Sequence, residues 1–205
     1  MKRVAIVDYD MSNIDSVARA VEECGAIAIV TSAPADFAQA SNIILPGVGV
    51  FGRGINNIRQ RGLDEVLCEQ VLEEKIPFLG ICLGMQLLAE RGFEGGETAG
   101  LGWIEGEVRR LEPDSSESKI PHVGWNEVHF MRPSPIFQEI PSGKDFYFTH
   151  SYHMVCKKTD NIIATTPYCG GFASAVCKEN IFGVQFHPEK SQQFGLKLIS
   201  NFLAL

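Results

Sequence analysis

Up to Leu88 the chain alternates short apolar runs with stretches whose apolar residues recur at helical spacing, and this alternation restricts its fold more than any other feature. Val4–Tyr9, Ile27–Val30, Asn42–Leu45 and Pro77–Ile81 read as strands. Asn13–Cys24 carries Ile14, Val17, Ala18 and Val21 on one helical face, with Gly25 where a helix stops. Pro34–Ala40 and Leu63–Glu74 read as two more helices, and Gly47–Gly54 as a glycine-rich loop. Parallel neighbours need a crossover and a helix supplies it, so strands alternating with helices imply a parallel sheet. Runs that are apolar at nearly every residue fit strands covered on both faces.

After Gly92 the pattern changes to glycine-punctuated short strands: Gly102–Leu111, Val123–Met131, Phe146–Cys156, Asn161–Thr166, Phe172–Cys177 and Ile181–Phe186. Antiparallel hairpins are expected there, followed by a last helix over Ser191–Leu203. The polar patch Pro113–Ser118 reads as an exposed turn and not a linker, and no internal repeat is evident. With 205 residues, one α/β domain over 1–205 is expected, its central sheet mixed but mainly parallel.

The charge sum, 18 Lys and Arg against 25 Asp and Glu, gives −7, which argues against nucleic acid or an anionic membrane as the main partner. Apolar runs such as Val4–Val7 fall far short of the ~18 residues a membrane span needs. Met1-Lys2-Arg3 runs into an apolar segment too short for an export signal. Six cysteines (24, 68, 82, 156, 169 and 177) lack regular spacing. Free thiols in a reducing cytoplasm are expected.

The sharpest local signal is Gly80-Ile81-Cys82-Leu83-Gly84 between a buried strand and an apolar helix. It is a nucleophile-elbow pattern with sulfur in place of oxygen. Gly80 and Gly84 leave room for a cramped strand-to-helix turn. A helix amino terminus at Cys82 would lower the thiol pKa and present the sulfur. The plain alternative is a cysteine used as a small buried hydrophobe.

A catalytic thiol wants a base and a group to aim that base. Phe186-His187-Pro188-Glu189 offers both. Proline keeps His187 extended, and if the extension persists His187 and Glu189 point to one side. Glu189 then fixes the imidazole tautomer while the other nitrogen takes the thiol proton, in the order Cys, His, Glu. Alone, such a pair also reads as a solvated surface pair.

Donors for an oxyanion are available from the N–H of Leu83 and from Val48 or Gly49 in the loop Leu45-Pro46-Gly47-Val48-Gly49. The spelling Gly47-Val48-Gly49-Val50-Phe51-Gly52 matches a dinucleotide fingerprint, but it follows the third strand and Pro46 interrupts the join. His150 and His153 are odd-spaced on one expected strand and so face opposite sides, and no cysteine has zinc-ribbon spacing. No metal and no cofactor is expected. Trp103, Trp125 and the phenylalanines read mostly as core.

Pro46-Gly47-Val48-Gly49, Gly80-Ile81-Cys82-Leu83-Gly84-Met85-Gln86 and His187-Pro188-Glu189, in that order along almost the whole chain, resemble the class I (triad) glutamine amidotransferases. Pro121-His122-Val123-Gly124-Trp125-Asn126-Glu127-Val128, Tyr147-Phe148-Thr149-His150-Ser151-Tyr152 and His187-Pro188-Glu189-Lys190-Ser191 look like one branch of that family. That branch provides the glutaminase subunit for imidazole glycerol phosphate synthesis in histidine biosynthesis.

The resemblance implies a flavodoxin-like three-layer sandwich and a glutaminase. Cys82 attacks the carboxamide of glutamine, His187 protonates departing ammonia, and water hydrolyses the thioester. Ammonia passes to a (β/α)8-barrel cyclase subunit, the partner in a heterodimer, where it attacks the ribulosyl-phosphate aminoimidazole PRFAR. Gly49, Gln86, Glu94, Ser151 and Tyr152 match the glutamine contacts; Trp125, Asn126 and Lys190 match positions that meet the partner. A carboxylate at Glu94 suits the substrate's α-ammonium, and Gln86, one helical turn past Cys82, can face the same pocket.

The chain departs from the family where Tyr-Gly-Met-Gly-Asn usually follows the first strand, since it has Tyr9-Asp10-Met11-Ser12-Asn13. In the family that segment faces the partner. Three alternatives therefore stand beside the leading reading: a paralogous subunit feeding another cyclase-like partner, as in surface-sugar amidination; a non-catalytic flavodoxin-like binding module; and a thiol hydrolase of another amide such as a γ-glutamyl peptide. Low glutaminase activity is expected of the chain alone.

Overall fold

The computed structural model describes residues 1–11, 13–114 and 118–205; Ser12 and residues 115–117 of the polar patch lie outside the described residues. The first half runs β1 (Arg3–Val7), α1 (Ile14–Glu23), β2 (Ile27–Thr31), α2 (Pro34–Phe37), β3 (Asn42–Leu45), α3 (Phe51–Gln60), α4 (Leu63–Cys68) and β4 (Phe78–Ile81). The second half adds α5 (Leu83–Gln86), β5 (Ala89–Gly92), β6 (Thr98–Ala99), β7 (Ile104–Arg110), β8 (His122–Phe130), β9 (Lys144–His150), β10 (Tyr152–Cys156), β11 (Ile162–Thr166), β12 (Phe172–Lys178), β13 (Ile181–Val184) and α6 (Gln192–Leu203).

Nine strands form one sheet in the order β2-β1-β3-β4-β13-β12-β11-β8-β9, and β10-β7-β5-β6 form a second. From β2 to β13 the pairs are parallel, and from β13 to β9 they are antiparallel. Helical crossovers account for the first half of the sheet and hairpins for the second, as the change of pattern after Gly92 implies.

Side chains of the parallel strands alternate between two apolar cores. Val4, Ile6, Ile44, Leu79 and Ile81 join α1 and α6 on one face. Ala5, Val7, Ile43, Leu45 and Phe78 join α3, α4 and the second sheet on the other. Burial on both faces explains runs without a polar alternate, and the result is a three-layer sandwich. Among the described residues no helix is long and apolar enough to cross a membrane. All six cysteines are free.

Two expectations need correction. Helix α3 starts at Phe51, inside the stretch read as a loop to Gly54. Glycine disfavours a helix, yet Gly54 lets α3 pack closely, since a Cβ there would come 3.2 Å from Leu83 Cδ2. The strand expected over Phe146–Cys156 breaks at Ser151, with β9 in the large sheet and β10 in the small one. Alternation does not carry across the break, so His150 and His153 do not face opposite sides. Both rings pack on Phe172, with centroids 4.9 and 6.0 Å away.

The elbow glycines are required by backbone contact. A Cβ on Gly84 would lie 1.8 Å from the Leu45 carbonyl oxygen, and one on Gly80 would lie 2.6 Å from that of Gly84. Backbone cannot swing aside as a side chain tip can. Gly84→Ala is therefore expected to cost about 3 kcal/mol of stability, read as a lower urea midpoint at an unchanged slope.

Candidate active site

Strands β3, β4 and β13 are adjacent and parallel, so the chain leaves all three at the same sheet edge. Ligand sites in open α/β sheets lie beyond such carboxyl ends. The segments that follow are 46–50, Cys82 and 185–187. Topology thus brings Cys82 within 3.7 Å of a group 103 positions away, the Nε2 of Gln185.

Cys82 takes φ 53° and ψ −107°, a strained backbone for a residue with a Cβ. Its N–H donates to Val184 O at 2.8 Å and its carbonyl accepts from Gln86 N at 3.2 Å, which pins the elbow from both sides. The thiol donates toward Thr149 O at 3.9 Å. Cys82 is 5% exposed, so the sulfur is not presented to bulk solvent as expected but lines the wall of a cavity. Helix α5 is four residues long, too short for its dipole to carry the activation.

The polar neighbour that acts on this sulfur is His187. Its backbone is extended, φ −97° and ψ 100°, as the following proline requires. The extension ends there: Pro188–Lys190 form a single tight turn, which returns Glu189 to the imidazole. His187 Nδ1 and Glu189 Oε1 are 2.8 Å apart, with side chains 2% and 1% exposed. Ser191 fixes the turn, donating to His187 O at 2.6 Å and accepting from Tyr147 N at 3.0 Å. Nε2 is buried and makes no hydrogen bond of normal geometry among the described residues. Burial pushes the imidazole pKa down, but the Cys82 sulfur and the Glu189 carboxylate override it and raise it from 6.5 to about 10. A buried sulfur–imidazole–carboxylate line can form a nucleophile, move a proton and hold the resulting imidazolium.

Beside Cys82 is a cavity of about 380 Å³. Gly49, Gln86, Glu94, Ser151 and Tyr152 all line it, with Val48 and Leu83. Gln86 Nε2 donates to Tyr152 O at 2.8 Å and to Gln185 Oε1 at 3.1 Å, leaving its carbonyl oxygen for a ligand. Glu94 Oε2 accepts from Phe51 N at 2.8 Å, which ties a cavity carboxylate to the start of α3.

Two of the three amides expected to serve an oxyanion, those of Val48 and Leu83, are engaged elsewhere. Val48 N donates to Met11 O at 2.7 Å, and Leu83 N donates to Gly47 O at 3.2 Å. Both bonds involve the Gly47–Val48 peptide, one through its N–H and one through its carbonyl. A turn of that one peptide would release both donors together.

Trp125 is not core, contrary to what its residue type suggested: it is 47% exposed, and Val123 58%, on the outer face of β8. Trp125 pairs across strands with Tyr147, whose ring also takes the Lys190 ammonium at 5.9 Å. Asn126 points another way, with Nδ2 3.2 Å from His122 Nε2. His122 Nδ1 meets His150 Nε2 at 3.1 Å, and His150 Nδ1 donates to Tyr152 O at 2.8 Å. Burial pushes His122 down to about 4 and, as the largest influence, His150 down to about 3, so both are neutral links in a polar line from β8 to the cavity. No group of three or more His, Cys, Asp or Glu able to hold a metal occurs among the described residues.

Sequence reasoning missed Gln185, and it read the segment Tyr9–Met11 only as partner-facing and not as a neighbour of the Val48 amide. A fully buried glutamine inside the apolar run Ile181–Phe186 was a usable signal for the first. A backbone carbonyl such as that of Met11 leaves none.

The glutamine amidotransferase class-I family model matches residues 5–205. A Campylobacter jejuni (strain RM1221) protein named imidazole glycerol phosphate synthase subunit HisH 1 is 48% identical over 202 residues, 98% of this chain and 100% of its own length. The HisH subunit from Moorella thermoacetica is 46% identical, covering 98% of this chain and 94% of its own. Among solved structures, a glutamine amidotransferase superposes with TM-score 0.76 at 16% identity, over 98% of this chain and 99% of that one. The Trypanosoma brucei CTPS glutaminase domain with bound acivicin gives 0.67 at 18%, over 100% and 92%. The structural likenesses show the fold, a flavodoxin-like sandwich.

Proposed function

The chain belongs to the class-I glutamine amidotransferases, and on that premise we propose that it is the glutaminase subunit of an imidazole glycerol phosphate synthase. The observation that carries this reading is the buried His187–Glu189 pair acting on Cys82 at a strained elbow beside the cavity. Near-full-length identity of 48% and 46% to subunits of that name supports the choice of synthase.

In this reading the Cys82 thiolate forms a C–S bond to the carboxamide carbon of glutamine, and the carbonyl oxygen becomes an oxyanion. His187 gives its Nε2 proton to the amide nitrogen as the C–N bond breaks, which releases ammonia and leaves a γ-glutamyl thioester. Neutral His187 then takes a proton from an attacking water. The C–S bond breaks, glutamate departs, and the thiolate–imidazolium pair returns. Ammonia goes to a (β/α)8-barrel cyclase subunit docked beside Trp125, Asn126 and Lys190, where it attacks ribulosyl-phosphate aminoimidazole.

The occupied Val48 and Leu83 amides supply the regulation. In the free chain the oxyanion lacks the Val48 and Leu83 donors, and docking of the cyclase turns the Gly47–Val48 peptide. Loss of one oxyanion donor costs about 10²–10³ in turnover. Glutamate release by the chain alone is expected to rise by at least that factor on adding an equimolar barrel cyclase. A high rate without partner refutes the gate, and stimulation without cyclisation of the aminoimidazole assigns the ammonia to another acceptor.

A further inference from the structure

The Gly47–Val48 peptide has a bonded carbonyl in its resting orientation, and once turned that carbonyl needs a new partner. Gly47 is buried, so a bare carbonyl there would oppose the turn. Tyr9 is the residue placed to supply one. It is fully buried just past β1, and its own carbonyl is held by Asn57 Nδ2 at 2.9 Å. A Cβ built on Gly47 would lie 2.2 Å from the Tyr9 hydroxyl, which therefore packs directly against the near end of the peptide. Yet Tyr9 Oη has no hydrogen-bond partner among the described residues. Buried tyrosine hydroxyls usually find one, and phenylalanine would fill the same space without an orphaned donor. Burial and then the charge of Cys82 hold the phenol above its usual pKa, so it keeps its proton.

We propose that Tyr9 is a positioning residue for the oxyanion hole: its hydroxyl donates to the Gly47 carbonyl after the Gly47–Val48 peptide turns, holding the Val48 and Leu83 amides toward the substrate. The proposal rests on the oxyanion reading above and adds what receives the displaced carbonyl. The segment then has a group for each orientation. Met11 O holds the Val48 amide in the resting state, and Tyr9 Oη holds the Gly47 carbonyl in the active one.

Tyr9→Phe removes only the oxygen. Three readings test it: glutamate release over a range of glutamine concentrations by the chain in complex with the barrel cyclase, and, on the chain alone, iodoacetamide alkylation of Cys82 and the thermal midpoint. Alkylation is a substitution at carbon with no oxyanion, so it reports the thiolate alone. The expected result is a kcat lower by about tenfold, the worth of one hydrogen bond, with KM and alkylation rate unchanged. Tm should hold or rise, because the resting state loses an unsatisfied hydroxyl. An unchanged kcat overturns the proposal, and so does a parallel fall in kcat, alkylation rate and Tm. Val48→Pro, which deletes the amide proton, separates the layers. If Val48→Pro keeps full turnover, the oxyanion reading itself fails; if it loses turnover while Tyr9→Phe does not, only the role of Tyr9 fails.

Discussion

A Cys82→Ala chain is expected to lose glutamine-dependent turnover by a factor on the order of 10⁶, the scale of removing a covalent nucleophile. The complex of that chain with a barrel cyclase should keep its rate when ammonium salts replace glutamine. The split follows from geometry: the sulfur is in the wall of a cavity lined by Gly49, Gln86 and Glu94, none of which the substitution touches. Glutamine should therefore still bind, and calorimetry on the variant should return an affinity near that of the parent. Retention of glutamine as a good donor would sink the thioester mechanism. Collapse of the ammonia-driven rate as well would make Cys82 a support for the partner and not a nucleophile.

The elbow and the histidine turn were legible because their geometry demands particular residues. Gly84 faces the Leu45 carbonyl and Gly80 faces Gly84, so only glycine fits either place. Pro188 forces His187 to extend, and Ser191 then locks the turn. The sandwich was legible for a similar reason. Strands such as β1 split Val4 and Ile6 from Ala5 and Val7 between two cores, which leaves no polar alternate in the sequence.

What sequence left unread depends on groups every residue carries or on context made by distant segments. The hydrogen bonds from Val48 N and Leu83 N leave no trace in residue type, because backbone amides are common to all. The break at Ser151 is invisible to strand propensity, since Phe146–Cys156 is a good strand on either side of it. Helix α3 was masked by Gly52 and Gly54, whose value is close packing against Leu83 and Thr98 and not helix propensity. Exposure of Cys82 was overestimated because the motif describes the turn and not what closes over it, here β9 and β10 through Thr149 and Tyr152.

Glu189→Gln is expected to lower turnover by about 10⁴, the effect of removing the charge that orients a catalytic imidazole, and His187→Ala at least as much. The pH dependence separates the two roles of Glu189, holding the ring and holding its proton. His187 is buried, which lowers its pKa, but Cys82 and Glu189 raise it to about 10 from 6.5. A raised folded pKa contributes stability that is complete below the unfolded value and lost as pH rises through the folded one. The parent's urea midpoint should therefore hold from about pH 6 and decline toward pH 10, and kcat should decline over the same limb as the proton for departing ammonia is lost. With glutamine at 189, one of the two opposing influences on the buried ring is gone, so both alkaline limbs should move to lower pH. His187→Ala should abolish the limb in stability and slow iodoacetamide labelling of Cys82, because the thiolate loses its counter-ion. If parent and Glu189→Gln titrate alike, Glu189 does not govern the proton on His187, and the triad reduces to a sulfur and a ring.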